Sequence, residues 1–145
     1  MIKFFSAILI FFSLTSVALA QARLEVEFDP DPLFSADNFN PGDQVSGQVT
    51  VTNNSESVQT VIAAAANVDD PAGLARVINF QIVSSAGSSI FNGDLADFFN
   101  QGELVLAPLG ASGSQVFNFT ARFKLTDNND LQAETLSFDL CVGFR

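Results

Sequence analysis

Hydrophobic and polar positions alternate strictly along residues 45–52. Val45, Gly47, Val49 and Val51 interleave with Ser46, Gln48, Thr50 and Thr52. A period of two over this length predicts a strand with one buried face. Pro41-Gly42 before it is a turn signal, because Pro fixes φ and Gly accepts positive φ. Asn53-Asn54-Ser55 closes the unit with a second turn.

The same pattern recurs along the chain. Leu24, Val26 and Phe28 alternate with Glu25 and Glu27, which predicts a first strand. Asp29-Pro30-Asp31-Pro32 stops it, since neither Pro donates to a ladder. Residues 33–43 read as a loop from which Leu33, Phe34 and Phe39 tuck inward. Strand two spans residues 44–52 and strand three residues 58–68. The run Ala63-Ala64-Ala65-Ala66 favours helix by propensity, but Val61, Ile62 and Val68 around it favour strand. After Asp69-Asp70-Pro71, residues 72–76 form one helical turn. Strand four covers residues 77–84, with Ile78, Phe80 and Ile82 on one face. A short strand comes next at residues 89–91.

Asp94 reads as a helix N-cap. Leu95, Phe98 and Phe99 then share one side of a short helix, at i, i+3 and i+4. Residues 103–106 form another strand, and residues 108–114 a loop of small residues. Two long strands close the chain. Phe117, Phe119, Ala121, Phe123 and Leu125 alternate with polar residues up to a turn at residues 127–130. Leu136, Phe138, Leu140, Val142 and Phe144 alternate with Ser137, Asp139, Cys141 and Gly143. Seven or eight strands with one short helix predict an all-β fold, a jelly-roll or Greek-key sandwich.

The first twenty residues stand outside this pattern. Lys3 precedes a run that is apolar from Phe4 to Val17, and Ala18-Leu19-Ala20 fits a small-x-small cleavage rule. Residues 1–20 therefore read as a signal peptide and residues 21–145 as one β-sandwich domain. The apolar run is short for a membrane span of roughly 20 residues. The expectation is a secreted, extracellular protein with no membrane attachment after cleavage.

Composition narrows the chemistry. The formal net charge is −10, and it becomes one unit more negative when Lys3 leaves with the leader. Such a chain repels nucleic acid and anionic membranes. Cys141 is the single cysteine, so stability rests on packing rather than on an intrachain disulfide. Sixteen Phe with no Trp or Tyr point to a dry aromatic core. The chain has no histidine, which removes Ser-His-Asp and Cys-His catalysis and any imidazole zinc site. The expectation is no enzyme, no catalytic residues, no cofactor and no metal.

The order of parts resembles the TasA/camelysin family of secreted biofilm-matrix proteins. A signal peptide and short strand precede NFNPGDQVSGQVTVTNNS, then NGDLADFFNQGEL, then LAPLGASGSQVFNFTARF, and finally LQAETLSFDLCVGF. The similarity spans nearly the whole chain after the leader. The resemblance implies a jelly roll that assembles into extracellular fibres. It also implies growth in which an N-terminal segment of one subunit completes the sheet of the next. The segment before Asp29-Pro30 is shorter here than in the family. The peptidase activity attributed to camelysin members does not carry over, because the chain has neither an H-E-x-x-H motif nor any histidine.

Several other patterns have bland explanations. The turn at Asp127, Asn128, Asn129 and Asp130 offers calcium-type oxygens, as does the loop holding Asp29, Asp31 and Asp37, but neither has EF-hand spacing. Asp94 and Asp97 resemble a glycosidase dyad only in being two carboxylates; a cap and a solvent-facing residue explain them. Asn53 and Asn118 begin glycosylation sequons by pattern. Cys141 reads as a half-buried small residue.

The sequence thus points to a non-catalytic structural protein that self-associates into matrix or biofilm fibres by β-strand addition. Other matrix or surface proteins are further partners of such a subunit. Leu24, Val26 and Phe28 are the candidate assembly residues, within residues 21–28. Two roles stay open for that segment: a donated strand, or the first strand of its own sheet. The alternative function is a monomeric cell-surface binding module for carbohydrate or protein. The absence of Trp and Tyr platforms speaks against it.

Overall fold

A computed structural model describes residues 23–36, 39–126, 129–131 and 133–145. Residues 1–22, which hold the expected leader and cleavage site, lie outside the described residues. Among the described residues the fold is all-β, with eight strands, one short α-helix and two 3-10 turns: β1 (Leu24–Asp29), β2 (Gln44–Asn53), β3 (Gln59–Asp69), β4 (Ile78–Ser84), β5 (Ser89–Asp94), α1 (Leu95–Gln101), β6 (Leu104–Leu109), β7 (Ser114–Phe123) and β8 (Ser137–Phe144). They form a five-stranded sheet in the order β1-β2-β7-β4-β5 and a three-stranded sheet in the order β6-β3-β8. Every pairing is antiparallel.

The period-two residues build one core between the sheets. The large sheet contributes Val49 and Val51, Ile78, Phe80 and Ile82, and Phe117 and Phe119. The small sheet contributes Val61, Ala63, Leu106, Phe138 and Leu140. Each of these side chains larger than alanine stabilises the fold by roughly 1.5–3 kcal/mol through burial. Phe80 is the hub of the aromatic cluster. Its ring centroid lies 4.9 Å from Phe98, 5.9 Å from Phe119 and 6.2 Å from both Phe34 and Phe91. Phe98 therefore ties α1 to the core.

The alanine run is strand, as its β-branched neighbours imply. β3 is the central strand of its sheet and pairs with β6 and β8. Hydrogen bonding along both edges outweighs alanine's helix preference, which is worth less than about 1 kcal/mol per residue.

Several boundaries differ from the sequence reading by one residue, and three differ by more. The short strand does not end at Phe91 but runs on to Asp94, where Asn79 pairs with Asp94. The strand after the helix does not end at Leu106. It includes Pro108 opposite Thr60, which is tolerated because β6 lies at a sheet edge. Leu125 does not extend the inward row of the strand before it: β7 ends at Phe123, and Leu125 is 80% exposed.

Candidate functional site

The residues singled out for assembly lie on β1, at the edge of the five-stranded sheet. Among the described residues they pair only with β2, in the register Leu24 to Asn53, Val26 to Val51 and Phe28 to Val49. Burial falls along the strand. Phe28 is buried in the core, while Val26 and Leu24 are half-buried against it. Glu25 and Glu27 point to solvent. The strand also approaches β8, with Cα–Cα separations within 8 Å, so it closes the side of the sandwich between the two sheets.

The segment after β1 fixes where that strand can part from the fold. Asp29, Pro30, Asp31 and Pro32 are all exposed. Leu33 and Phe34 are then buried, as the sequence pattern implies, and so is Phe39. Leu33 seats against β2 because residue 47 is glycine: a Cβ there would lie 2.4 Å from Leu33 Cδ1. Phe39 stacks on Phe123 at 5.8 Å. The chain is therefore anchored independently on both sides of the exposed Asp-Pro segment.

Asn53, at the end of β2, is buried and fully engaged. Its Nδ2 donates to the carbonyls of Ser57, Leu109 and Gly110 at 2.8, 3.0 and 3.0 Å. Its Oδ1 accepts from the Ser55 amide at 3.0 Å and the Ser55 hydroxyl at 2.6 Å. These bonds hold the β2–β3 turn against the β6–β7 loop. The side chain is inaccessible to a modifying enzyme in the folded protein. Local sequence marks Asn53 only as a turn residue. Its place one step past an alternating strand, on the inward parity, is the signal that it is buried.

The other candidates resolve into structural roles. Asp94 occupies the N-cap position of α1, yet its side chain makes no capping hydrogen bond. It instead accepts from Lys124 Nζ at 2.5 Å, which corrects the capping expectation: a full positive charge within reach outcompetes a helix amide. Asp97 is exposed. Asp70 does the capping that Asp94 does not, accepting from the amides of Leu74 and Ala75 at 2.7 and 3.0 Å at the start of a 3-10 turn. This turn, α1 and the end of β3 frame an open cleft of about 400 Å³ lined by Val68, Asp70, Arg76, Phe99 and Asn100.

Cys141 lies half-buried on the outward face of β8. Burial, and to a lesser degree the carboxylate of Asp139, pushes its thiol pKa above the ordinary value. Each of the two calcium candidates includes residues outside the described ones. Among the described residues, no group of three His, Cys, Asp or Glu is arranged to hold a metal, and no helix is long and apolar enough to cross a membrane.

No family model matches the chain, and no curated protein matches it.

Proposed function

We propose that this chain is a secreted, non-catalytic subunit of extracellular matrix or biofilm fibres of the TasA/camelysin kind, with the sandwich connected as a jelly roll. Subunits assemble by β-strand addition. β1 of one subunit leaves its own sheet and pairs with the β2 edge of the next, in the register it uses at home.

The observation that carries this reading is the anchoring on either side of residues 29–32. Among the described residues β1 is an edge strand bonded to β2 alone, and Leu33 holds the next stretch of chain in place. Moving β1 therefore exposes the β2 edge without dislodging the loop beyond residue 32. Main-chain hydrogen bonds supply the affinity, and Phe28, Val26 and Leu24 on one face fix the register. A one-residue slip would turn Glu25 and Glu27 into the core. The ordered set of sequence motifs supports the family assignment.

A peptide test addresses the mechanism. A chain lacking residues 21–28 should stay folded and bind a synthetic peptide of those residues. A peptide with Phe28 and Val26 changed to Asp should not bind. If the truncated chain is unfolded at every concentration, β1 is an indispensable internal strand and the donation mechanism is wrong.

A further inference from the structure

The two sheets present opposite kinds of outer face. On β2, β4 and β7 of the five-stranded sheet the outward residues are polar apart from Val83 and Val116, and several of them bond to one another. Gln48 donates to Asn118 at 3.0 Å, Ser46 and Thr120 are 3.2 Å apart, and Thr52 and Ser114 are 3.1 Å apart. That face is satisfied in water.

The three-stranded sheet is different. Ile62 pairs with Val105 on one side and Gly143 on the other, and Ala64 pairs with Cys141. These residues, with Ala66, alternate with the inward core residues and lie outside the core cluster and its packed surroundings. Val105 is 43% exposed. β3 is thus apolar on both faces, the pattern of a strand covered on both sides. Val105 is exposed, and Ile62, Ala64, Ala66 and Cys141 are half-buried on the same outward side; a solvent-facing apolar strip of this kind marks an interaction site.

The charges at the two ends of β8 indicate the occupant. Asp139 and Arg145 share the outward parity with Cys141 and Gly143 between them. Arg145 reaches across β3 to Glu103 Oε2 at 3.6 Å, with both side chains more than half exposed. So exposed a pair is weak and easily exchanged. Asp139 accepts from Asn67 at 2.6 Å, and Asp69 lies beside Ser137 at the same end. Asp139 and Asp69 make one end of β8 anionic, and at the other end the Arg145 guanidinium is shared with Glu103. A two-fold axis crossing β8 between Cys141 and Gly143 is equidistant from Asp139 and Arg145.

We propose that this outer face is an interface between two copies of the chain, stacked with their β8 strands antiparallel. Asp139 of each copy then opposes Arg145 of the other. Small residues at the centre let the two sheets approach to the usual spacing of about 10 Å. An isologous contact needs such self-complementarity. The opposed charges also offset the repulsion between two strongly anionic chains at this contact. The contact does not use β1, so it goes beyond strand addition and forms whether or not β1 is donated.

Sedimentation velocity on freshly purified protein over a range of concentrations tests this. The expected result is a concentration-dependent dimer. Ile62→Lys, or Val105→Lys should the first variant fail to fold, leaves only monomer. Asp139→Arg and Arg145→Asp each weaken the dimer at least tenfold, and the two reversals combined in one chain restore it. Cys141 in the unchanged protein should also be alkylated more slowly as concentration rises. A monomer at every concentration overturns the proposal. So does a dimer indifferent to Lys at position 62 or 105. Failure of the combined reversal to restore association would overturn the two-fold pairing.

Discussion

Leu33 fills the space that a side chain at residue 47 would need, its Cδ1 lying 2.4 Å from where a Cβ would stand. The glycine is thus a packing requirement of β2, which lets the loop after β1 lie flat on the sheet. Gly47→Ala forces Leu33 to shift and should destabilise by about 1–3 kcal/mol. Gly110 has nothing within 4 Å of the same position, and Gly110→Ala should change stability by roughly 0.5 kcal/mol or less. Urea melts of the two variants check the contrast.

Asn53 joins two turns from a fully buried position. Asn53→Ala leaves three carbonyls short of a donor and should cost about 2–4 kcal/mol. Asn53→Asp should be as damaging, because a carboxylate cannot donate to those carbonyls. Asn118, whose amide oxygen accepts from Gln48 on an exposed sheet face, should tolerate Ala with a loss of about 0.5 kcal/mol. Equal losses at Asn53 and Asn118 in thermal unfolding would contradict the assignment.

Phe119 and Phe138 face the core at 0% and 4% exposure. Changing either to Ala should cost about 3–5 kcal/mol. Lys124 is held by Asp94, but the two side chains are 42% and 36% exposed. Solvent screening limits that pair, so Lys124→Ala should cost no more than about 1 kcal/mol. Chemical denaturation of the three variants separates the classes.

The Cys141 thiol is held protonated, mainly by burial and secondarily by Asp139. Its contribution to stability is therefore fully present below the ordinary thiol pKa and declines as pH rises through the raised value. The alkylation rate should rise with pH with a midpoint above the ordinary thiol value. Asp139→Asn should move that midpoint down without abolishing the shift, since burial remains. A midpoint at the ordinary value in the unchanged protein would contradict this.

The elements that alternation alone specifies are legible in the sequence. The inward rows of β2, β4 and β8 come from period-two patterning, and the Asp-Pro stop marks the end of β1. The features that escape it depend on partners distant in the chain. The extension of β5 across Asn92 and Gly93 comes from pairing with β4, whose residues supply the hydrogen bonds that these weak strand formers do not predict. Pro108 stays within β6 because that strand is at an edge. Asp94 sits at a cap position, yet the nearby cation takes its carboxylate. Gly47 carries a usable signal, since a glycine on an inward position often marks close backbone approach. The candidate assembly residues are legible as an apolar, Pro-bounded strand. That this strand has one neighbouring strand among the described residues, and that Leu33 anchors the loop after it, emerges only from the fold.

Electron microscopy of negatively stained protein, with and without residues 21–28, tests the central claim most directly. The account predicts filaments from the unchanged chain at high concentration. It predicts none from the deleted chain, whose circular dichroism should still be that of a folded β protein. Filaments that persist after the deletion would contradict donation by β1. An unchanged chain that never forms filaments, even when seeded and incubated at length, would contradict the fibre-subunit function itself.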